Sequence, residues 1–382
     1  MTVATKPRTE SPTEPLFVAP TAEIDTPALI VDEPTMRRNI AQMAAFGASV
    51  GVKVRPHIKT HKTPQITRLQ LAAGAVGITC AKLGEAEVMI EQAEVGDVLI
   101  AYPVIGPAKT ARLLRLMERA RMIVALDNRE VGEMIGRAVA AQDRRLDVYV
   151  EVNTGQNRAG ALVGDEAVAL ALDLSRIAGL NVVGIMTHEG HANSAEPEVI
   201  ERTAIEAGQA MVAMAERLRA HGLDIRTVSV GSTPAAFFTP TVPGVTEMRP
   251  GTYVFNDNSV FRHGRVSPAD CALRVLSTVV SRPAPDRALL DAGSKTLGMD
   301  PSKSHPGHGY IVGHGEATIT KLSEEHGTVH VPEGMDGLRI GDRVEVIPNH
   351  VCPTVNLQDE LFIVQDGQMV DRWTVAARGK VR

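Results

Sequence analysis

The sequence predicts a (β/α)8 TIM-like barrel followed by a mainly antiparallel β domain, and three observations carry that expectation. Between residues 52 and 251, eight short β-branched runs alternate with stretches of helical period. No GxGxxG opens the first β–α turn, where a doubly wound nucleotide-binding sheet would carry one. Beyond about residue 265 the long amphipathic stretches stop, and strand-like runs succeed one another across Gly, Pro and Asp turns. A chain of 382 residues suits one large barrel with a smaller companion.

The elements follow in order. MTVATKPRTESPTEPLFVAP is rich in Pro and Thr and has no apolar signal core, so residues 1–22 are expected to form a flexible tail. Residues 23–34 contain the run ALIVD, a strand expected to join the carboxy-terminal β domain. The barrel is expected over 35–265, with strands VKVRPHIK (52–59), GITCAK (77–82), DVLIAYPV (97–104) and MIVALDN (122–128). DVYVEVNT (147–154), VVGIMTHEG (182–190), TVSVGST (227–233) and VTEMRPG (245–251) complete the set. AKTARLLRLMERAR and PEVIERTAIEAGQAMVAMAERLRAHG are amphipathic helices between them. Residues 266–382 form the β domain, from CALRVLSTVVSRP to ELFIVQDGQMVDRWTVAARG.

Composition narrows the function classes. A formal net charge of −5, with no Lys/Arg run interleaved with aromatics, argues against a nucleic-acid surface. Aromatic residues make up 3%, so the core must rest on Val, Ile, Leu, Ala and Met. Cys80, Cys271 and Cys352 are odd in number and far apart, which disfavours a disulfide framework and suits a reducing cytoplasm. No segment is apolar for long enough to span a bilayer.

Barrels do their chemistry at the carboxyl ends of the strands, and here those ends are polar. The first strand closes on Arg55, His57, Lys59 and His61; the fifth on Glu151, Asn153 and then Arg158. The sixth closes on His188, with His191 beyond it, the seventh on Gly231, Ser232 and Thr233, and the eighth on Glu247 and Arg249, with Tyr253 after them. Strand alternation turns Lys53, Arg55, His57 and Lys59 to one side. A lysine in a barrel mouth is a nucleophile able to form a Schiff base, whereas a solvated lysine in a basic loop is the plainer alternative. Gly231–Thr233 is expected to open a helix whose amides, with two hydroxyls, suit a phosphate. His350 and Cys352, two apart on an expected strand, offer imidazole and thiolate to Zn²⁺ or a similar ion; a buried cysteine beside a structural histidine is the alternative. EEHG at 324–327 reads as a polar hairpin turn, and His305 and His308 as loop histidines.

These residues carry a resemblance. RPHIKTHK (55–62), EVNTGQNRAG (151–160), SVGSTP (229–234), EMRPGTYVF (247–255) and PNHVCPTVNL (348–357) resemble, in order, the motifs of the D-threonine aldolase and D-serine dehydratase family. Those are fold-type III pyridoxal-phosphate enzymes with an alanine-racemase-like barrel and β domain. The resemblance implies that Lys59 holds pyridoxal 5'-phosphate and that Arg158 reaches its phenolic oxygen. It makes Gly231, Ser232 and Thr233 the phosphate cradle, Tyr253 the tyrosine near that phosphate and Arg249 a partner of the pyridine nitrogen. His350 and Cys352 match the pair that holds a divalent metal, Mn²⁺ or Zn²⁺, against the substrate's β-hydroxyl. The implied activity is retro-aldol cleavage of D-threonine and related β-hydroxy-D-amino acids, with His188 or His191 as base. Dehydration of D-serine or D-threo-3-hydroxyaspartate, with Lys59 taking the α-proton, is the alternative. A homodimer is implied as well. Two rivals are weaker. A non-catalytic pyridoxal-phosphate carrier usually lacks residues like 266–382, and a metal-dependent hydrolase built on His57, His61 and His188 leaves the phosphate-type motif unused.

Overall fold

The computed structural model describes residues 24–194, 196–302 and 306–382. The expected tail and His305 lie outside them. By contacts the chain forms two units: one drawn from the described residues up to Asn39 and from Val254–Arg378, the other from Ile40–Tyr253 and Gly379–Arg382. The chain first makes β1 (Ala28–Asp32) and passes between the units within α1 (Glu33–Ser49).

The second unit is the barrel. Its elements are β2 (Lys53–Val54), α2 (Pro64–Ala72), β3 (Ile78–Cys80), α3 (Leu83–Ala93), β4 (Asp97–Ile100), α4 (Pro107–Leu116), β5 (Arg121–Leu126) and α5 (Arg129–Ala140). β6 (Leu146–Asn153), a short β7 (Ala161–Leu162), α6 (Asp165–Ser175), β8 (Leu180–Met186), α7 (Pro197–Ala220), β9 (Thr227–Val230) and β10 (Glu247–Met248) follow. All eight expected strands are present and pair in parallel in the order β2-β10-β9-β8-β6-β5-β4-β3. The two ends of that row meet: Val76 and Thr79 donate their amides to the carbonyls of Val54 and Pro56, and His57 bridges Thr79. That junction closes the barrel.

β2 is shorter than the run 52–59 suggested. Pro56 has no N–H to give the ladder, although Arg55 and His57 still donate to Met248 and Pro250. The chain then turns, so Lys59 sits in a single 3-10 turn, Ile58–Thr60, and not on the strand. Inside the barrel, Leu99, Ile123, Ala125, Tyr149, Val183 and Met186 form one buried cluster, its Leu, Ile, Val and Met side chains each contributing about 1.5–3 kcal/mol by leaving water. α1 closes tightly over the first strand at Gly47, where a Cβ would lie 2.8 Å from the Val52 carbonyl oxygen.

The other unit is mainly antiparallel. It adds α8 (Asn258–Phe261), β11 (Leu273–Ala284), β12 (Arg287–Leu290), α9 (Ser294–Leu297), β13 (Tyr310–Ile311), β14 (Thr318–Leu322) and β15 (Gly327–His330). β16 (Arg343–Ile347), α10 (Val351–Asn356), β17 (Glu360–Gln365) and β18 (Gln368–Thr374) complete it. β1 lies between β11, antiparallel, and β17, parallel. Among the described residues, no helix is long and apolar enough to cross a membrane.

Candidate active site

The carboxyl ends of β2, β6, β8, β9 and β10 bring the expected polar residues of the barrel unit together. His57, half-buried in the barrel mouth, is held well below its ordinary pKa, first by loss of solvent and then by Lys59, Arg249, His188 and Arg158. His188 is pushed down to about 3, again by burial first and then by Lys59, against the backbone bond it makes to Gly231. Three cationic side chains, Lys59, Arg158 and Arg249, therefore act on two neutral imidazoles. Arg158 is exposed and is carried on a loop folded around Asn153. Asn153 Oδ1 accepts the Gly155 and Asn157 amides at 3.0 and 3.1 Å.

Gly231 is gripped on both sides of its backbone. Its carbonyl accepts from His188 Nδ1, and its amide donates to Glu189 Oε2 at 2.9 Å. A Cβ here would lie 2.8 Å from that of Arg249, so only glycine fits. Two expectations change. The Gly231 amide is already engaged, leaving those of Ser232 and Thr233 without a partner among the described residues. The expected helix does not form: residues 233–238 run as turns into a short 3-10 turn at Thr239–Thr241, because Pro234 and Pro240 leave too few residues between them.

Arg55 is also placed differently from the expectation that it flanks Lys59. It points into the barrel, donating to Glu247 at 2.8 Å and to Asp97 at 2.6 Å. Glu247 also accepts from Ser229, which in turn accepts from Arg249. Arg249 thus stands on a buried hydrogen-bond column, with its other amine on the Thr187 carbonyl. His61 is buried as well, its Nε2 3.2 Å from Gln70 Oε1, while Gln70 donates to Tyr253 Oη at 3.0 Å. His191 stands apart: its pKa is lowered by burial alone, and its Nδ1 has no partner among the described residues.

In the β unit, His350 caps α10 and Cys352 lies in its first turn, not on a strand. Pro353 is tolerated there because first-turn amides have no helical partner, and the Val351 amide finds Asp257 Oδ2 at 3.2 Å. His350 Nδ1 meets Asp300 Oδ2 at 2.5 Å, and its ring is hydrogen-bonded to Cys352. Burial favours the neutral ring, but Cys352, Asp257 and Asp300 outweigh it and push His350 up to about 10. Among the described residues, no three His, Cys, Asp or Glu side chains form a metal-binding cluster. Nothing in the sequence reading points to Glu189, Gln70, Asp257 or Asp300. Glu189 was visible within HEGH, whereas Gln70 belongs to an ordinary helical pattern with no motif to flag it.

The buried imidazoles predict acid sensitivity. His57, His188 and His61, the last pushed down to about 4 by burial, stay unprotonated when folded but titrate near 6.5 when unfolded. Below pH 6.5 the unfolded chain takes up protons that the folded chain refuses, so stability falls as pH falls. Each such histidine loses about 1.4 kcal/mol per pH unit. Burial also raises Glu151, Glu189 and Asp257, which work in the opposite sense; Asp257, at about 6, does so only below about that pH. His350, pushed up to about 10, keeps a proton when folded that the unfolded chain loses above about 6.5, so it costs stability as pH rises from there. Calorimetry from pH 8 to 5 should show a midpoint that is highest near about 6.5–7 and falls on the acid side. A midpoint that does not fall below about 6.5 would contradict this.

Comparison with known proteins agrees with the fold. Residues 31–259 match the family model described as alanine racemase, N-terminal domain, and residues 272–364 one described as a serine dehydratase domain. A D-threonine aldolase from Arthrobacter sp is 36% identical over 369 residues, covering 94% of each chain. D-threo-3-hydroxyaspartate dehydratase from Delftia sp. (strain HT23) is 33% identical over 350 residues, covering 87% of this chain and 92% of its own. The crystal structure of D-threonine aldolase from Filomicrobium marinum superposes with a TM-score of 0.88 at 34% identity, covering 94% of this chain and 97% of that one. With both units matched along nearly their whole length, the chain belongs to the alanine-racemase-like family of pyridoxal-phosphate enzymes that holds the D-threonine aldolases and D-serine dehydratases.

Proposed function

We propose that the protein is a pyridoxal-phosphate- and divalent-metal-dependent D-threonine aldolase, cleaving D-threonine and related β-hydroxy-D-amino acids to glycine and an aldehyde. The observation that carries the reading is the gathering of Lys59, Arg158 and Arg249 around two neutral imidazoles in a barrel mouth that also offers the unused amides of Ser232 and Thr233. Such a site suits a phosphorylated aldehyde: Lys59 supplies the amine, Arg158 and Arg249 the positive field, and Ser232, Thr233 and Tyr253 donors for oxyanions. When bound, pyridoxal phosphate supplies an electron sink for the pair left on the substrate's Cα.

His350 and Cys352 form a donor pair suited to Zn²⁺ or Mn²⁺, with positions left open for water and substrate. Asp300 engages Nδ1 and leaves Nε2 as the ring's ligand atom. An ion held there supplies a Lewis acid for a hydroxyl oxygen.

Cleavage needs a base for the β-hydroxyl proton; the Cα–Cβ bond then breaks, its electron pair stays with Cα and the oxygen becomes the aldehyde carbonyl. His188, near pKa 3 and tied to Gly231, is a weak base whose part is to hold that peptide unit. His191 is lowered by burial and not by a neighbouring cation, and its Nδ1 is unengaged among the described residues, so it is the better base. His191→Ala is expected to lower kcat about 10²–10⁴-fold with cofactor affinity little changed, whereas His188→Ala should weaken cofactor retention. The reverse pattern in steady-state kinetics and cofactor titration would exchange the two roles.

Dehydration is the second reading. Cys352 favours it, since a solved metal-free form of a D-threo-3-hydroxyaspartate dehydratase carries a cysteine-to-alanine substitution. Incubation with D-threonine, pyridoxal phosphate and Mn²⁺ or Zn²⁺ separates the two. Glycine and acetaldehyde mark the aldolase, 2-oxobutanoate and ammonia a dehydratase. Neither product, with D-serine and 3-hydroxyaspartate also inert, would refute the substrate class. The same reading takes the protein as a cytoplasmic homodimer, for which sedimentation should give twice the 40.8 kDa chain mass.

A further inference from the structure

Within the barrel unit, one line of buried hydrogen bonds has its direction dictated by its first donor. The Thr63 amide lies 3.1 Å from His61 Nδ1. An amide can only donate, so Nδ1 is the bare nitrogen and the neutral ring carries its proton on Nε2. Nε2 therefore donates to Gln70 Oε1 at 3.2 Å, and this fixes the amide with its nitrogen toward Tyr253 Oη, 3.0 Å away. Gln70 thus fills a lone pair of the phenol, and the Tyr253 proton is left for something else.

Nothing among the described residues takes that proton. Gln70 is the single hydrogen-bond partner of the Tyr253 hydroxyl, and Tyr253 is 5% exposed, Gln70 2% and His61 0%. Burial also pushes Tyr253 above its ordinary pKa, so the phenol keeps its proton. The chain just before Tyr253 is tied to the expected phosphate corner: the Gly251 amide donates to Thr233 Oγ1 at 3.3 Å. A Cβ on Gly251 would meet Thr60 Oγ1 at 2.8 Å and the His57 carbonyl at 3.1 Å. A buried, directed and unspent O–H, on a segment tied at Gly251 to the residue that carries one of the unspent amides, calls for an acceptor-only oxygen.

We infer that His61 and Gln70 are positioning residues that commit Tyr253 to donating a hydrogen bond to the phosphate of bound pyridoxal phosphate, an inference that rests on the cofactor reading above. A phosphate oxygen only accepts. Were the amide of Gln70 reversed, Tyr253 would spend its proton on Gln70 and meet the phosphate with lone pairs. The relay, started by a backbone amide, prevents that reversal.

The experiment titrates the cofactor-free protein with pyridoxal phosphate and, separately, with pyridoxal, which lacks the phosphate. Parent, Gln70→Leu, Gln70→Glu, Tyr253→Phe and the double variant Gln70→Leu/Tyr253→Phe are compared, with a thermal midpoint for each. Gln70→Leu and Tyr253→Phe should each weaken pyridoxal phosphate about ten- to a hundredfold, the scale of one hydrogen bond to a charged group. Pyridoxal affinity should stay within about twofold, since the lost bond is absent there. The double variant should be no weaker than Tyr253→Phe alone. Gln70→Glu, whose carboxylate takes the tyrosine proton and adds an anion, should lose more than Gln70→Leu. Equal losses for both ligands, additive losses in the double variant, or a Gln70→Leu protein that binds pyridoxal phosphate like the parent would each overturn the inference. If Gln70→Leu does not fold, Gln70→Glu and Tyr253→Phe decide through the same ratio of affinities. A parent that binds neither ligand removes the cofactor reading itself, and this inference with it.

Discussion

Lys59→Ala is expected to abolish turnover, lowering kcat/KM by at least about a thousandfold, while leaving the fold in place. Lys59 sits in a one-turn 3-10 segment, half-buried, and among the described residues no hydrogen bond or ion pair of the barrel depends on its amine. Its neighbours His57 and His188 both respond to its charge, so it stands inside the cationic cluster and not out in solvent. The check is borohydride reduction followed by intact mass. The parent should gain one covalently held pyridoxal phosphate, and Lys59→Ala should gain none. A variant that keeps both the adduct and the activity would mean that another amine carries the cofactor.

Arg55→Met is expected to have the largest effect on stability. Arg55 and Glu247 are each 3% exposed and bonded at 2.8 Å, and Asp97 accepts the other end of the guanidinium. Removing one partner leaves Glu247 charged and unpaired in the barrel interior, at a cost of about 3–5 kcal/mol. For a unit of this size that lowers the thermal midpoint by about 6–20 °C. Arg55→Met/Glu247→Leu should recover much of the loss, because no charge is then stranded. Calorimetry of the three proteins checks both statements, and an Arg55→Met midpoint equal to the parent's would show that Glu247 is relieved by protonation or water. The double variant should also disturb Arg249, since Ser229 would lose its acceptor in Glu247.

The strands were legible because parallel barrel strands are buried on both sides and read as short β-branched runs. MIVALDN and DVYVEVNT left no doubt about their kind, and β5 and β6 fall within a residue or two of them. Legibility failed where a single proline or a tertiary bond outweighed local pattern. Pro56 ended the first strand early and put Lys59 on a turn. Pro234 and Pro240 left Gly231–Thr233 without its helix. VCPTVN reads as a strand by its β-branched content, but Asp257, distant in sequence, accepts the first amide and lets a helix start. The residues of the site were largely visible as strand-end polar groups. Their partners were not, because Arg55 meets Glu247, and Gln70 meets Tyr253, only after the barrel closes.

The double grip on Gly231 bears on any attempt to reshape the enzyme's preferences. Two successive side chains, His188 and Glu189, hold the two faces of one backbone segment in the corner proposed for the phosphate. A mutant library that varies His188 to admit new substrates would also loosen that corner, so clones would be lost for shedding cofactor before their selectivity could be seen. Randomising His191 would leave that corner intact, because its ring leans on Gly155 and bonds to neither side of Gly231, but most clones would then lack the base proposed above.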